Sequence, residues 1–214
     1  ASLLTLAGIG AEVPPAFVLT TEAWRRWAAN PDRGFVAALV DEGIAGLEAR
    51  AGRKLGDGLI VSVRSGAPVS MPGMMETVLN IGLCDQTVGG LLRQTGNPRL
   101  VWDAYRRLVA SYGEVVAGLP AALFEEAAQV LTGGRDEREL DFADLRSITR
   151  GFLEVYAQGA GQPFPQDPAA QLGGAIEAVL ASWQSAKAQE YRRMNGISEA
   201  VGTAVTVQRM VFGN

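Results

Sequence analysis

The residues best suited to chemistry in this sequence are an arginine and the loop that follows it. Arg64 sits near the end of a strand-like run, LIVSVRS, and the stretch SGAPVSMPGMMET then brings Gly66, Ser70, Pro72, Gly73 and Thr77. A guanidinium offers a fixed fork of donors, and glycines let backbone amides come close to oxygens, so the pattern suits a phosphate. The same residues suit a surface turn with an arginine at its edge, and the spacing leaves both readings open. Met71, Met74 and Met75 are unusual in such a loop; they suit either gap-filling against a core or a mobile, partly packed lid. A second candidate lies near the end of the chain, where Ala204, Thr206, Gln208, Met210 and Phe212 alternate with Val205, Val207, Arg209 and Val211. An apolar strand ending in Gln208 and Met210 could give a purine a wall and edge hydrogen bonds, although any half-buried strand alternates in this way.

Several chemistries are excluded by what is absent. There is no histidine, so no Ser/His/Asp triad, Cys/His pair, phosphohistidine carrier or histidine-ligated metal lies within these residues. No G-x-x-x-x-G-K-[ST] occurs, and Gly8-Ile9-Gly10 has Val13 where a third glycine of G-x-G-x-x-G belongs. The carboxylates Glu125-Glu126, Asp136-Glu137 and Asp141 with Asp144 read as solvated helix faces, and no metal site is expected. What remains for function is arginine, hydroxyls, amides and the backbone.

These groups need a framework. The 214 residues suggest one large domain or one domain carrying an insertion, and 48% hydrophobic with 20% charged residues is an ordinary globular mix. The net charge is −4 and the only lysines are Lys54 and Lys187, so no nucleic-acid or anionic-membrane partner is expected. The single cysteine, Cys84, fits a reducing compartment, and a cytoplasmic location is expected. The start, ASLLTLAGIG, lacks the basic segment of a signal peptide, and no apolar run reaches the ~20 residues of a membrane span.

Along the chain, a short helix through Leu3, Leu4 and Leu6 ends near Gly8 and Gly10, and a strand follows over Phe17 to Thr20. Thr21 can cap a helix containing Trp24 and Trp27, and a longer helix runs through Phe35, Leu39, Ile44 and Leu47. From about Asp85 to Gln171 the period is helical, with Leu100, Val101, Ala104, Tyr105, Leu108, Tyr112 and Val115 as one stripe. Phe142, Leu145, Ile148, Phe152 and Val155 form a second, and TGGRDERE between two of these helices reads as a solvated loop. Asp167-Pro168 starts a helix through Leu172, Ile176, Val179, Leu180 and Trp183, and after Asn195-Gly196 the chain returns to a strand. The reading is α/β (α+β): an α/β subdomain, 1–84 with 172–214, carrying an inserted all-helical subdomain, 85–171.

The stretch VSVRSGAPVSMPGMMETVLNIGL at 61–83 strongly resembles the nucleotide-binding domain of the pyruvate, phosphate dikinase family. VPPAFVLTTEA at 13–23, WDAYRRLVASYGEVVAG at 102–118, SWQSAKAQEYRRMNGI at 182–197 and GTAVTVQRMVFGN at 202–214 keep that family's order, so the resemblance spans essentially the whole chain. It implies an ATP-grasp type domain, within a phosphotransferase that interconverts ATP, phosphate and pyruvate with AMP, pyrophosphate and phosphoenolpyruvate. It also implies transfer to a histidine on another domain of the same chain, and a parent that forms a homodimer. By the same resemblance Arg64 contacts the ATP phosphates and stabilises charge during transfer. Gly73, Met74 and Thr77 match the loop over the phosphates, and Gln208 and Met210 match the strand and hinge that hold adenine.

The family's phosphate lysine, in a Gly-Gly-Lys-Gly segment, would precede Ala1, and its acidic magnesium ligands would follow Asn214. A missing final ATP-grasp subdomain, an inactive isolated chain and magnesium ligands outside it are therefore expected. Gln184-Ser185-Ala186-Lys187 stands where the family usually has Asn, Ser or Thr, Pro and Arg. Two alternatives go with the resemblance: a phosphoenolpyruvate synthase type domain, and a noncatalytic nucleotide-sensing or docking domain.

Overall fold

The computed structural model describes residues 2–67, 69 and 71–212, so Ser70 of the candidate loop lies outside the described residues. The elements run α1 (Ser2–Gly8), β1 (Ala16–Leu19), α2 (Thr21–Ala29), α3 (Arg33–Ala51), β2 (Lys54–Leu55), β3 (Gly58–Leu59), β4 (Val61–Gly66) and β5 (Thr77–Ile81). They continue through α4 (Val88–Thr95), α5 (Pro98–Val115), α6 (Ala121–Thr132), α7 (Phe142–Ala160), α8 (Pro168–Ser182), α9 (Ala186–Met194) and β6 (Ala204–Arg209). The fold is mixed α/β, built on a four-stranded antiparallel sheet in the order β1-β6-β4-β5. The first and last strands of the chain lie side by side, so the site is assembled from distant segments.

Alternation along the strands sends one set of side chains to the core. Val61, Val63, Val78, Val205 and Val207 are fully buried, and α8 packs against β4, β5 and β6. Branched residues suit this pleated, packed surface. β5 bends where two of its residues face one of β4, between Val61 and Val63. There Asn80 takes φ +63°, a conformation Asn tolerates better than most residues, and its Nδ2 donates to the Ala104 carbonyl of α5 at 3.1 Å. Before β6, Gly202 has φ +70°, and a Cβ would lie 2.4 Å from Cε3 of Trp24. Only glycine lets the chain pass this indole into the sheet.

The helical block follows its sequence signals. Asn97 accepts from the Leu100 N–H and Pro98 opens α5, whose stripe Val101, Ala104, Tyr105, Leu108, Val109 and Tyr112 is buried. α7 begins with a capping box between Asp141 and Asp144. Asp167 accepts from Ala169 and Ala170 N–H groups at the start of α8. Tyr112, Tyr156 and Phe164 meet edge to face or tilted, with ring centroids 5.3 to 6.3 Å apart. One hydrophobic cluster joins these residues to the core under the sheet.

Two sequence expectations, the cap of α2 and the end of β6, need correcting, and two others gain detail. Thr20, not Thr21, is the residue before α2, and its side chain makes no capping bond. α3 buries Val36, Val40 and Leu47, whereas Phe35, Leu39 and Ile44 are only half-buried; the helix is apolar on several sides, so tertiary packing chose the face. The TGGRDERE segment is exposed but tied down. Arg135 grips Asp144 through two bonds of 2.9 and 2.7 Å, Glu137 bridges Arg106 and Arg107, and Glu137–Glu139 forms a 3-10 turn. The solvated carboxylate faces Asp136-Glu137 and Asp141 with Asp144 are thus partly structural. β6 ends at Arg209, leaving Met210 and Phe212 beyond the strand.

Candidate functional site

The face of the sheet away from the core carries the other half of each alternation. Register pairs Arg64 of β4 with Thr77 of β5 on one side and Thr206 of β6 on the other, and Thr206 in turn with Val18 of β1. One rung away, Ser62 pairs with Gln208 and Gln208 with Ala16. A single row across the sheet therefore reads Val18, Thr206, Arg64, Thr77. Arg64 and Thr77 are exposed and Thr206 is half-buried.

None of these three polar side chains has a hydrogen-bond or ion-pair partner among the described residues. A guanidinium between two hydroxyls on directly opposed strands, where facing Cβ atoms lie ~5 Å apart, forms a compact set of donors. Arginine suits this position because its fork is planar and stays charged.

Gln208 shares the face, but one of its amide hydrogens is already used: Nε2 donates to the Pro14 carbonyl at 3.1 Å. Buried Ser62 donates to the Gln208 carbonyl at 3.4 Å. Met210 lies further on, its N–H donating to the Ile60 carbonyl at 2.8 Å. It lines a cavity of about 410 Å³ with Ile60, Leu91, Leu100, Arg209 and Phe212. Met210 is four positions beyond Thr206, or about 13 Å along extended chain.

The loop after Arg64 divides its residues. Gly73 is exposed with φ +71°, and no atom of the described residues lies within 4 Å of where a Cβ would be. Met74 is half-buried against the core, closing a turn with its N–H donating to the Met71 carbonyl at 3.1 Å. Met71 is buried and Met75 half-buried, and the Ser182 hydroxyl approaches Met75 Sδ at 4.0 Å. The methionines are therefore packed. Glu76 pairs with Lys187 of α9 at 2.6 Å.

The structure thus brings Arg64, Thr77 and Gln208 to one face, places Met210 beyond its end, and leaves Gly73 and Met74 in the loop beside it. A wider cleft of about 1000 Å³ between α3, α5 and α8 contains none of these six residues. Thr206 was not singled out as a site residue from the sequence. Its signal was alternation two residues before Gln208, but only the β4–β6 register reveals that it faces Arg64. Among the described residues no three His, Cys, Asp or Glu side chains gather as a metal site, and no helix is long and apolar enough to cross a membrane.

Fold and face define a class: a mixed α/β domain whose sheet packs one side on helices and presents cationic and hydroxyl donors on the other. The chain belongs to the pyruvate phosphate dikinase family, in its AMP/ATP-binding domain, whose family signature matches residues 34–214. It is 45% identical to pyruvate, phosphate dikinase 2 of Oryza sativa subsp. japonica over 223 aligned positions, covering 100% of this chain and 25% of that protein. It is 42% identical to pyruvate, phosphate dikinase of Clostridium symbiosum, again over 100% of this chain and 25% of the relative. Pyruvate, phosphate dikinase 1, chloroplastic, of Arabidopsis thaliana is 42% identical, with 100% of this chain and 23% of the relative covered. The chain spans about a quarter of the length of these relatives.

Proposed function

We propose that the row Arg64, Thr77 and Thr206 receives the phosphates of ATP or AMP. The observation that carries this reading is that three donors on three neighbouring strands stand in one row with no protein partner among the described residues. Membership of the AMP/ATP-binding family supports it. Gly73 and Met74 belong to the loop that approaches the phosphates, and the cavity beside Met210, whose lining mixes Ile60, Leu91 and Phe212 with Gln94, Thr95 and Asn97, serves the adenine together with the Gln208 amide. Arg64 is the residue that stabilises charge as the phosphoryl group moves, since such transfer depends mainly on positioning and electrostatics.

In this proposal the domain is of ATP-grasp type, with 85–171 as a helical subdomain inserted between 1–84 and 172–214. It belongs to a dikinase that interconverts ATP, phosphate and pyruvate with AMP, pyrophosphate and phosphoenolpyruvate. A histidine on another domain accepts the group, consistent with the absence of histidine here. The relatives quoted are all pyruvate, phosphate dikinases, which favours this over a phosphoenolpyruvate synthase type domain. The residues paired across the open face include no carboxylate, so the face does not suit magnesium by itself, and ligands for that ion belong elsewhere in a complete enzyme.

Calorimetric titration of the chain with a non-hydrolysable ATP analogue tests the reading. Binding that weakens at least tenfold in Arg64→Ala is expected. Equal binding by the variant refutes the assignment.

A further inference from the structure

The loop joining Arg64 to its neighbour Thr77 is held from the helical side. Thr77 opens β5 on the exposed face, and the residue before it, Glu76, is the last of the loop and is half-buried toward α9. There its Oε1 meets Nζ of Lys187, at 2.6 Å, with the two side chains 30% and 48% exposed. It is the only ion pair made by the described residues of the loop.

Lys187 projects from a firm base. It lies in the first turn of α9, where Ser185 accepts from the Ala188 N–H at 3.3 Å. Buried Arg192 stacks 4.3 Å from the Trp183 ring centroid and donates to the Trp183 carbonyl at 2.5 Å, fixing α9 to the end of α8. Ser182, one residue before that tryptophan, contacts Met75. Consecutive loop residues, Met75 and Glu76, are thus tied to consecutive parts of one rigid turn.

We infer that Lys187 is a positioning residue for the phosphate face: by holding Glu76 on the helical side it keeps Thr77 across from Arg64. The inference rests on the nucleotide reading above. Neither Lys187 nor Glu76 touches the phosphates in this scheme, and the effect passes through the strand. Because the pair is half-exposed, its effect is modest, and charge reversal is the sharper probe.

The test is a double-mutant cycle on the full chain, with two readouts: analogue affinity by calorimetry, and hydrogen exchange of the amides at 75–79. Lys187→Glu is expected to weaken binding about two- to fivefold and speed exchange. Adding Glu76→Lys to it restores both, and Lys187→Arg leaves both unchanged. Additive effects in the cycle, or Lys187→Glu without effect on binding, overturn the inference. Faster exchange at 75–79 with unchanged affinity also overturns it, reducing the pair to a local tether. If the wild-type chain binds no analogue, the nucleotide reading itself fails. Exchange then decides alone: a coupled cycle leaves Glu76 and Lys187 as the clasp of the β5 start, and an uncoupled one removes that too.

Discussion

Arginine does opposite work in two regions of this molecule. In the helical block, four guanidinium groups are engaged by backbone carbonyls or carboxylates. Arg99 donates to the Leu140 and Glu137 carbonyls at 3.0 and 2.9 Å, Arg106 and Arg107 hold Asp103 and Glu137, and Arg135 holds Asp144. On the sheet, Arg64 stands between two threonines with no acceptor among the described residues. Residue type alone does not distinguish a brace from a binding group. The distinguishing feature is whether the surrounding chain supplies the counter-charge.

The comparison can be broken at several points. Leu145→Ala empties a fully buried position in α7, and the lost burial plus cavity should cost about 2–5 kcal/mol in denaturant unfolding. Analogue affinity of the folded variant should not change; a matching loss of affinity would tie the helical block to binding. Arg64→Ala should do the reverse, removing about 1.5–3 kcal/mol of binding to a charged ligand while unfolding free energy stays within about 0.5 kcal/mol. A large drop in stability would make Arg64 a brace like the others.

Asp141→Ala removes the side chain that accepts from Ala143 and Asp144 N–H groups at 2.8 and 2.9 Å. It should cost about 1 kcal/mol of stability by thermal or denaturant melts, with binding untouched. Arg107→Ala breaks a pair whose members are 56% and 25% exposed, so a loss of about 0–1 kcal/mol is expected; a larger one would show the latch over Glu137 to be cooperative.

The smallest effect is a pH dependence. Hydrogen bonding from Arg135, then from the Asp141 N–H, holds the Asp144 carboxyl below its ordinary range. Because the folded value is the lower one, this contribution is present above the unfolded Asp value of about 3.9 and is lost as pH falls through the folded value. Glu48 behaves alike: burial alone would raise it, but the Lys54 and Leu55 bonds outweigh burial and keep it low. Denaturant midpoints between about pH 6 and about pH 2 should therefore fall less steeply in Asp144→Asn than in the parent. Equal slopes would remove Asp144 from the acid response.

Much of this was legible in the sequence. The cap at Asp167 and the stripes of α5 and α7 are local signals, because a helix satisfies its own backbone and needs only one apolar face, whereas the caps at Asn97 and Asp141 were found only in the structure. Arg64 and the glycine-rich loop stood out by composition, and the resemblance at 61–83 pointed to the family that the comparisons establish. Less legible were the packed methionines, the buried face of α3 and the ties on Glu137, all of which depend on neighbours far along the chain.

What the sequence determined by itself is the helical character of the stretch from about 85 to 171, the strand alternation that sends Arg64 and Gln208 away from the valine core, and the absence of histidine from this chain. What only the tertiary structure decided is which strands are neighbours. The pairing of residue 64 with residues 77 and 206, and of Glu76 with Lys187, joins segments as far as 142 residues apart. Strand order and register are set by how the whole core packs, and a one-residue slip would turn every one of these side chains to the other face.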